Sequence, residues 1–469
     1  LIQIKERIAG EGVFSQSVPT ADMENPPMPD PEKEQLVTRY GLRGTPVSGL
    51  WMGTWGFFIG FAAVSLYGPA ARYFQSSMHM SGILLGLLVA APQLTGSLLR
   101  IPFGAWVDKG GGRLPMVTLF IVSLVGMWGL VYILYSVHDL TLTVYPVILL
   151  FGFMSGCGVA SFSVGIPQVS YWFPQDRQGT VLGTYGGVGN LAPGLFTLML
   201  PFAIDTWGLA GSYLAWFVFL LVGTLIYAWL AHDAYFFQLR KKNVPLEEAK
   251  DVARKCGQEL FPKGAVWRAL WHAAEEQRTW GLVFLYFTSF GGFLALTAWF
   301  PTYWVNLHNM DVKTAGVLGG LGFSLLAAAI RVFGGVISER FGGERVAVAS
   351  FGLVLVGALL LTLVTRFGVN LLGELVIALG MGIGNAAVFK MVPKYVPEAV
   401  GGASGWVGGL GALGGFVIPP ILGLFVDVLG PVGYARGFFV YAVLGAAATA
   451  LAIGFVRTEP RSSAAVPRR

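Results

Sequence analysis

Long apolar runs alternate with short polar breaks along almost the whole chain. Twelve apolar stretches recur, at roughly 48–73, 82–107, 115–136, 143–170, 178–203, 211–234, 279–305, 314–338, 345–366, 370–396, 400–427 and 434–456. Each can hold a helix of ~17–25 residues, the length that crosses a hydrocarbon core of ~30 Å. The pattern predicts an all-α integral membrane protein of twelve transmembrane helices. One long polar interruption, 236–278, contains QLRKKNVPLEEAKDVARK and separates the stretches six from six. The predicted organisation is a mostly disordered tail over 1–45, a six-helix half over 46–235 and a linker over 236–278, helical in part around Pro245–Cys256. A second six-helix half over 279–457 and a tail over 458–469 complete it.

Composition agrees: 55% of the 469 residues are hydrophobic and 12% charged, where a soluble domain carries about 25% charged residues. The 65 glycines suit close helix approach in a membrane. The net charge of +6 is informative through its distribution, and it carries no expectation of nucleic-acid binding. With the N-terminus inside, the outer loops hold only Arg72, Lys313, Arg366 and Arg436, and three basic residues are intramembrane: Arg100, Arg331 and Lys390. Every other Lys and Arg falls on the inner side, which predicts both termini cytoplasmic in a cell (inner) membrane. The Pro-rich start (ENPPMPDPEKEQ) predicts a tail rather than a secretory signal. Cys157 and Cys256, one in an apolar run and one in a polar loop, are expected as separate thiols.

Arg100 and Arg331 carry the functional argument. A guanidinium near mid-membrane costs about 2.5–3.5 kcal/mol on insertion scales and does not escape by losing its proton. Two such charges require an anion, and within the bundle only Glu374 is an acid within reach. The two arginines are also equivalent by an internal repeat. LLRIPFGAWVDKGGGR (98–113) aligns with AAIRVFGGVISERFGGE (328–344), laying Arg100 on Arg331, Asp108 on Glu339 and Lys109 on Arg340. A second echo lays GTYGGVGN (183–190) on GWVGGLGA (405–412), so that Gly183, Gly186, Gly187 and Gly189 match Gly405, Gly408, Gly409 and Gly411. Such repeats in two six-helix halves build rocking transporters, with the substrate held near the pseudo-twofold axis. Asp108, Lys109, Glu339 and Arg340 read either as solvated loop charges or as a gating latch formed in one conformation and broken in the other. A guanidinium donates two parallel hydrogen bonds to an oxyanion, so the substrate expected between Arg100 and Arg331 is a small oxyanion.

On residue pattern alone, Tyr286 and Phe290, four apart on one helix face, are packing or site residues. So are Phe162 and Asn190. The Gly-rich fifth and eleventh stretches, GTYGGVGNLAPG and GGASGWVGGLGALGGF, resemble the paired signature of the nitrate/nitrite porter family of the major facilitator superfamily, and GAWVDKGGGR resembles the superfamily's loop motif. The resemblance runs over all twelve stretches. It implies a major facilitator fold, no cofactor or metal, nitrate and nitrite as partners beside the lipid bilayer, and a monomer. It also implies that the anion lies between Arg100 and Arg331, with Asn190, Tyr286, Phe290 and Phe162 completing the site. Phe162 and Phe290 would sandwich the flat faces of such an ion and thereby reject tetrahedral phosphate or sulfate by shape.

Lys390, in NAAVFKMVPKYVP, departs from that pattern. It either snorkels to the inner surface or is a coupling residue that moves a proton with the anion. Exchange of nitrate for nitrite is the expected mode, with proton-coupled nitrate uptake, or exchange of another small oxyanion such as an organic phosphate or a carboxylate, as the alternatives. No enzyme is expected: His79, His138, His232, His272 and His308 lie at or beyond the ends of the stretches, and no cluster of acids or metal ligands accompanies them. A sensor would need a signalling domain, for which the linker is too short.

Overall fold

A computed structural model describes residues 31–137, 139–262 and 266–458; His138 and most of both expected tails lie outside them. The described residues fall into two separate compact units, divided between Arg43 and Gly44. Within the first, Pro31–Arg39 is a helix with Glu32 and Glu34 in its first turn and Arg39 in its last, an order that complements the helix dipole.

In the second unit, every regular element among the described residues is a helix. The spans are Pro46–Met78, Gly82–Gly110, Arg113–Ser136, Leu142–Ser170, Gln175–Leu230, Gln277–His308, Val312–Phe341, Gly343–Leu363, Phe367–Tyr395, Pro397–Arg436 and Phe439–Arg457. The Gln175–Leu230 segment is two spans, because Gly208 turns the chain with φ 69° and ψ 174°. Twelve transmembrane helices in two halves result, as the hydrophobic pattern predicts. The sixth ends at Leu230, four residues earlier than expected, where Ala231 adopts extended backbone. The linker holds three short helices, Tyr235–Lys241, Leu246–Lys255 and Val266–Glu275. No disulfide joins Cys157 to Cys256.

Both ends of this unit lie at the linker end of the bundle. The Tyr235 hydroxyl donates to the carbonyl of Gly44 at 2.8 Å, and Gly281, starting the seventh span, packs on Phe455 near the end of the twelfth. The halves meet through pairs that a twofold axis interchanges, the second span on the eleventh and the fifth on the eighth. A Cβ at Gly82 would strike the carbonyl of Gly423, and one at Gly86 that of Pro419. Gly194 likewise packs against Leu325, and Gly320 against the Gly194 carbonyl. The first and seventh spans touch at Gly68 and Ala298. All these approaches lie in the half of the bundle away from the linker, here termed the far end. Towards the linker the fifth span stands clear of its surroundings: a Cβ at Gly179, Gly183 or Gly186 would meet nothing within 4 Å, whereas the eleventh stays packed there, Gly402 on Ala269 and Gly409 on Ile101. The far end is closed.

Local breaks set the directions of the central side chains. Pro102 has no N–H for the Leu98 carbonyl, and the second span divides there into Gly82–Leu98 and Arg100–Gly110. Pro193 does the same to Gly189, and the fifth span breaks at Asn190. The fourth tightens to a 3₁₀ turn over Cys157–Ala160, just before Phe162. Wide π turns occupy Phe287–Gly291 in the seventh span and Leu318–Leu325 in the eighth, insertions that recur at functional sites.

The turn at Gly208 is testable. Its φ and ψ are open essentially to glycine alone, and a side chain there costs on the order of 1–3 kcal/mol. No neighbour obstructs a Cβ, so Gly208→Ala isolates the backbone cost. The detergent-solubilised variant is expected to unfold at a lower midpoint than the parent; an unchanged midpoint contradicts the geometry.

Candidate anion site between two arginines

Arg100 is 2% exposed, at the break of the second span. Its Nη1 donates to the carbonyl of Gly408 at 2.9 Å, a bond that crosses from one half to the other. Its Nε and Nη2 are buried without partners. These two N–H groups form the parallel side-on fork that fits two oxygens of one oxyanion. Gly408 explains half of the arginine and leaves the other half unexplained.

Arg331 approaches the same place from the eighth span. Its guanidinium carbon lies 5.6 Å from the centroid of Phe290, and that of Arg100 lies 5.1 Å from the same ring. The two charges are therefore no farther apart than those distances combined. Buried Nη1 of Arg331 has no partner; the buried hydroxyl of Tyr286 has none of full hydrogen-bond geometry, but it lies beside the Arg331 guanidinium and within electrostatic reach of Arg100. No ion pair joins either arginine to a carboxylate among the described residues. Glu374, fully buried, accepts instead from the indole N–H of Trp304 at 3.0 Å. Two cations, several unused donors and no acid converge here.

Aromatic rings form the floor. Tyr286 stacks on Phe290 with centroids 4.9 Å apart and planes 13° apart, as their four-residue spacing requires. Phe290 also stacks on Phe162 at 6.0 Å and 29°, and the Arg100 guanidinium lies 5.0 Å from Phe162. Two rings enclosing a flat ion need planes roughly 7 Å apart, twice the ordinary carbon contact of ~3.5 Å. With centroids 6.0 Å apart, the Phe162 and Phe290 planes leave no slot of that width between their faces in this conformation, against the expected sandwich.

The other expected residues are placed as follows. Asn190 is buried at the break of the fifth span; its Nδ2 donates to Gly186 of its own helix at 2.6 Å and its Oδ1 has no partner. No hydrogen bond ties it to the arginines. The two Gly signatures differ in use. Gly183 and Gly186 face open space and Gly187 looks toward Val332, while a Cβ at Gly189 would strike the Phe57 ring. Gly405 packs on Leu270, Gly408 toward Phe389, Gly409 on Ile101 and Gly411 on Tyr286. Asp108 accepts from the Tyr171 hydroxyl at 2.5 Å, whereas Lys109, Glu339 and Arg340 are exposed and no ion pair joins any of the four. Lys390 is exposed, and its amine donates to the carbonyl of Ser338, at the C-terminal end of the eighth span. It stands outside the buried cluster.

Sequence reasoning missed Tyr185, Phe57 and Phe61. The Tyr185 hydroxyl donates to the Phe162 carbonyl at 2.8 Å while its ring stacks on Phe57 at 5.0 Å. Phe61 stacks on Phe290 at 6.3 Å. Tyr185 lies inside GTYGGVGN, and Phe57 and Phe61 are four apart in the first span; both signals were available.

Comparison with known proteins gives a consistent set of relatives. The profile of the Major Facilitator Superfamily matches residues 53–324 and 311–469. A Thermus thermophilus protein named "Probable nitrate/nitrite antiporter NarK1" is 31% identical over 397 residues, covering 79% of this chain and 83% of its own. A Staphylococcus epidermidis protein named "Probable nitrate transporter NarT" is 28% identical, covering 85% and 94%. Among solved structures, the E. coli xylose transporter XylE in a partially occluded inward open conformation superposes with a TM-score of 0.65 at 14% identity, over 89% of this chain and 100% of that one. At that identity the likeness concerns the fold alone.

Arg100→Lys keeps the charge but loses the fork. With charge-assisted hydrogen bonds worth about 1.5–3 kcal/mol each, affinity for a small oxyanion is expected to fall roughly a hundredfold by titration calorimetry. Tyr286→Phe, removing one neutral donor, is expected to cost tenfold at most. Near-parental affinity in Arg100→Lys contradicts the assignment.

Proposed function

The chain belongs to the nitrate/nitrite porter family of the Major Facilitator Superfamily, and from that premise we propose that it carries nitrate and nitrite across the membrane by alternating access, exchanging one for the other. The observation that carries this reading is the convergence of the Arg100 fork, Arg331 Nη1 and the Tyr286 hydroxyl, all buried and without acceptors. Nitrate and nitrite are small and planar, with charge spread over three or two oxygens. One such ion takes two parallel N–H bonds from Arg100 and has an oxygen edge left for Arg331 or Tyr286. Its flat shape tolerates the ring edges of Phe162 and Phe290 better than a tetrahedral ion does. Asn190, whose amide keeps an unused N–H beyond its bond to Gly186, is read as a further neutral donor to the anion.

Exchange follows from electrostatics. Without an anion, two like charges near one ring repel in a medium of low dielectric, and closing the cavity over them intensifies the repulsion. A bound anion removes that barrier, so the loaded carrier reorients and the empty one resists. Proton-coupled uptake would require a titrating group at the site. The lysine considered for that part, Lys390, is engaged with a helix-end carbonyl at the linker end, which favours exchange. The clustering of basic residues orients the linker and both termini to the cytoplasm of a cell (inner) membrane. Asp108, Lys109, Glu339 and Arg340 sit at that face, unlatched while the far end is closed, and are read as a gate that forms when the linker side shuts.

Purified protein in proteoliposomes provides the test. Nitrate entry is expected to require nitrite or nitrate inside and to ignore an imposed pH gradient. Uptake into vesicles empty of both anions, driven by a proton gradient, overturns exchange in favour of symport.

A further inference from the structure

We propose that Asp205 and Asp427 are the two copies of one duplicated gate that holds the far end shut; this rests on the alternating-access reading. The internal repeat pairs the residues. The alignment that lays Gly183 on Gly405 also lays Asp205 on Asp427, and the one that lays Arg100 on Arg331 lays Gly82 on Lys313. The fold then closes both pairs crosswise. Asp427, at the far end of the eleventh span, accepts from the backbone N–H of Gly82 and, at 2.9 Å, of Ile83, the first residues of the second span. Asp205, at the far end of the fifth, accepts from the Lys313 ammonium at 2.6 Å, at the start of the eighth. On each side of the axis the same acid position grips the same facing position in the opposite half.

The partners differ because the two facing helices begin differently. Asp311 caps the eighth span from within, accepting from the N–H groups of Lys313 and Thr314 at 3.0 Å each. The orphan donors at that end are satisfied, and Asp205 is left with the lysine side chain. The second span has only Ser81, whose hydroxyl accepts from Leu84 at 3.4 Å. Gly82 and Ile83 therefore offer free N–H groups at the positive end of a helix dipole, and Asp427 takes both. Glycine makes the grip possible: a Cβ at Gly82 would strike Gly423.

The two clasps should respond differently to solvent. Lys313 and Asp205 are 42% and 62% exposed, so their attraction is weak and screened by salt. Asp427 is also exposed, but its clasp is bidentate and directed at backbone N–H groups that mutation of a single side chain cannot remove. Opening the far end breaks both, and their summed strength biases the carrier toward the linker-open form.

Spin labels at the far ends of the second and eleventh spans, and separately of the fifth and eighth, read the gate in full-length protein without substrate. Asp427→Asn is expected to raise the open population roughly five- to tenfold. Asp205→Asn should raise it by no more than about fivefold, an effect that high salt imitates in the parent protein. Asp205→Lys should open the fifth–eighth pair, and adding Lys313→Asp should restore the closed distance. Unchanged distances in Asp427→Asn, or no recovery in the charge swap, overturn the proposal. Because the distances need no nitrate, a responsive gate in a protein that carries no nitrate refutes the transport reading alone. Nitrate exchange with an unresponsive gate refutes the clasp alone.

Discussion

Two guanidinium groups share one buried ring without a carboxylate between them, and the rest of the structure is organised around that unpaid charge. Arg100 and Arg331 both approach Phe290, in surroundings where an uncompensated charge is expensive. One bond relieves part of the cost: Arg100 Nη1 to the Gly408 carbonyl. Because Gly408 belongs to the other half, the bond also ties the rigid-body relation of the halves to the position of the charge. A movement of one half against the other must shift or break it. In the proposed mechanism, anion binding and the movement of the halves would thus meet at a single side chain.

The helices reach this point through irregularities. Proline at 102 and 193 frees the carbonyls of Leu98 and Gly189 and breaks two spans just where Arg100 and Asn190 occur. In the second half the corresponding adjustment is made by π turns, one holding Phe290 and one ending six residues before Arg331. The arginines are equivalent in the repeat yet delivered by different backbone devices. The equivalence lies in where the charge arrives.

Closure at the far end follows from small residues. Gly82, Gly86, Gly194, Gly320 and Gly423 let backbones from opposite halves touch, and the polar contacts of Asp427 and Asp205 lie over those approaches. The paired signatures are alike in sequence and unlike in use: Gly183 and Gly186 of the fifth span face open space, while Gly405, Gly409 and Gly411 of the eleventh face Leu270, Ile101 and Tyr286.

The chain's order of apolar and polar residues determined the twelve spans, the division into halves and the two charges that matter. Each of these is a one-dimensional signal: run length, position of the long polar break, an arginine within an apolar run. Stacking of Tyr286 on Phe290 was readable from their spacing, since helix geometry alone places them on one face. Tertiary structure decided what those signals left open. Only tertiary packing showed that Gly408 occupies part of Arg100, that Phe162 and Phe290 stack at 6.0 Å, that Lys390 turns to Ser338, and that Asp427 reaches Gly82. Those contacts join residues distant in sequence, and all but that of Lys390 depend on how one half is set against the other, a quantity no local pattern encodes.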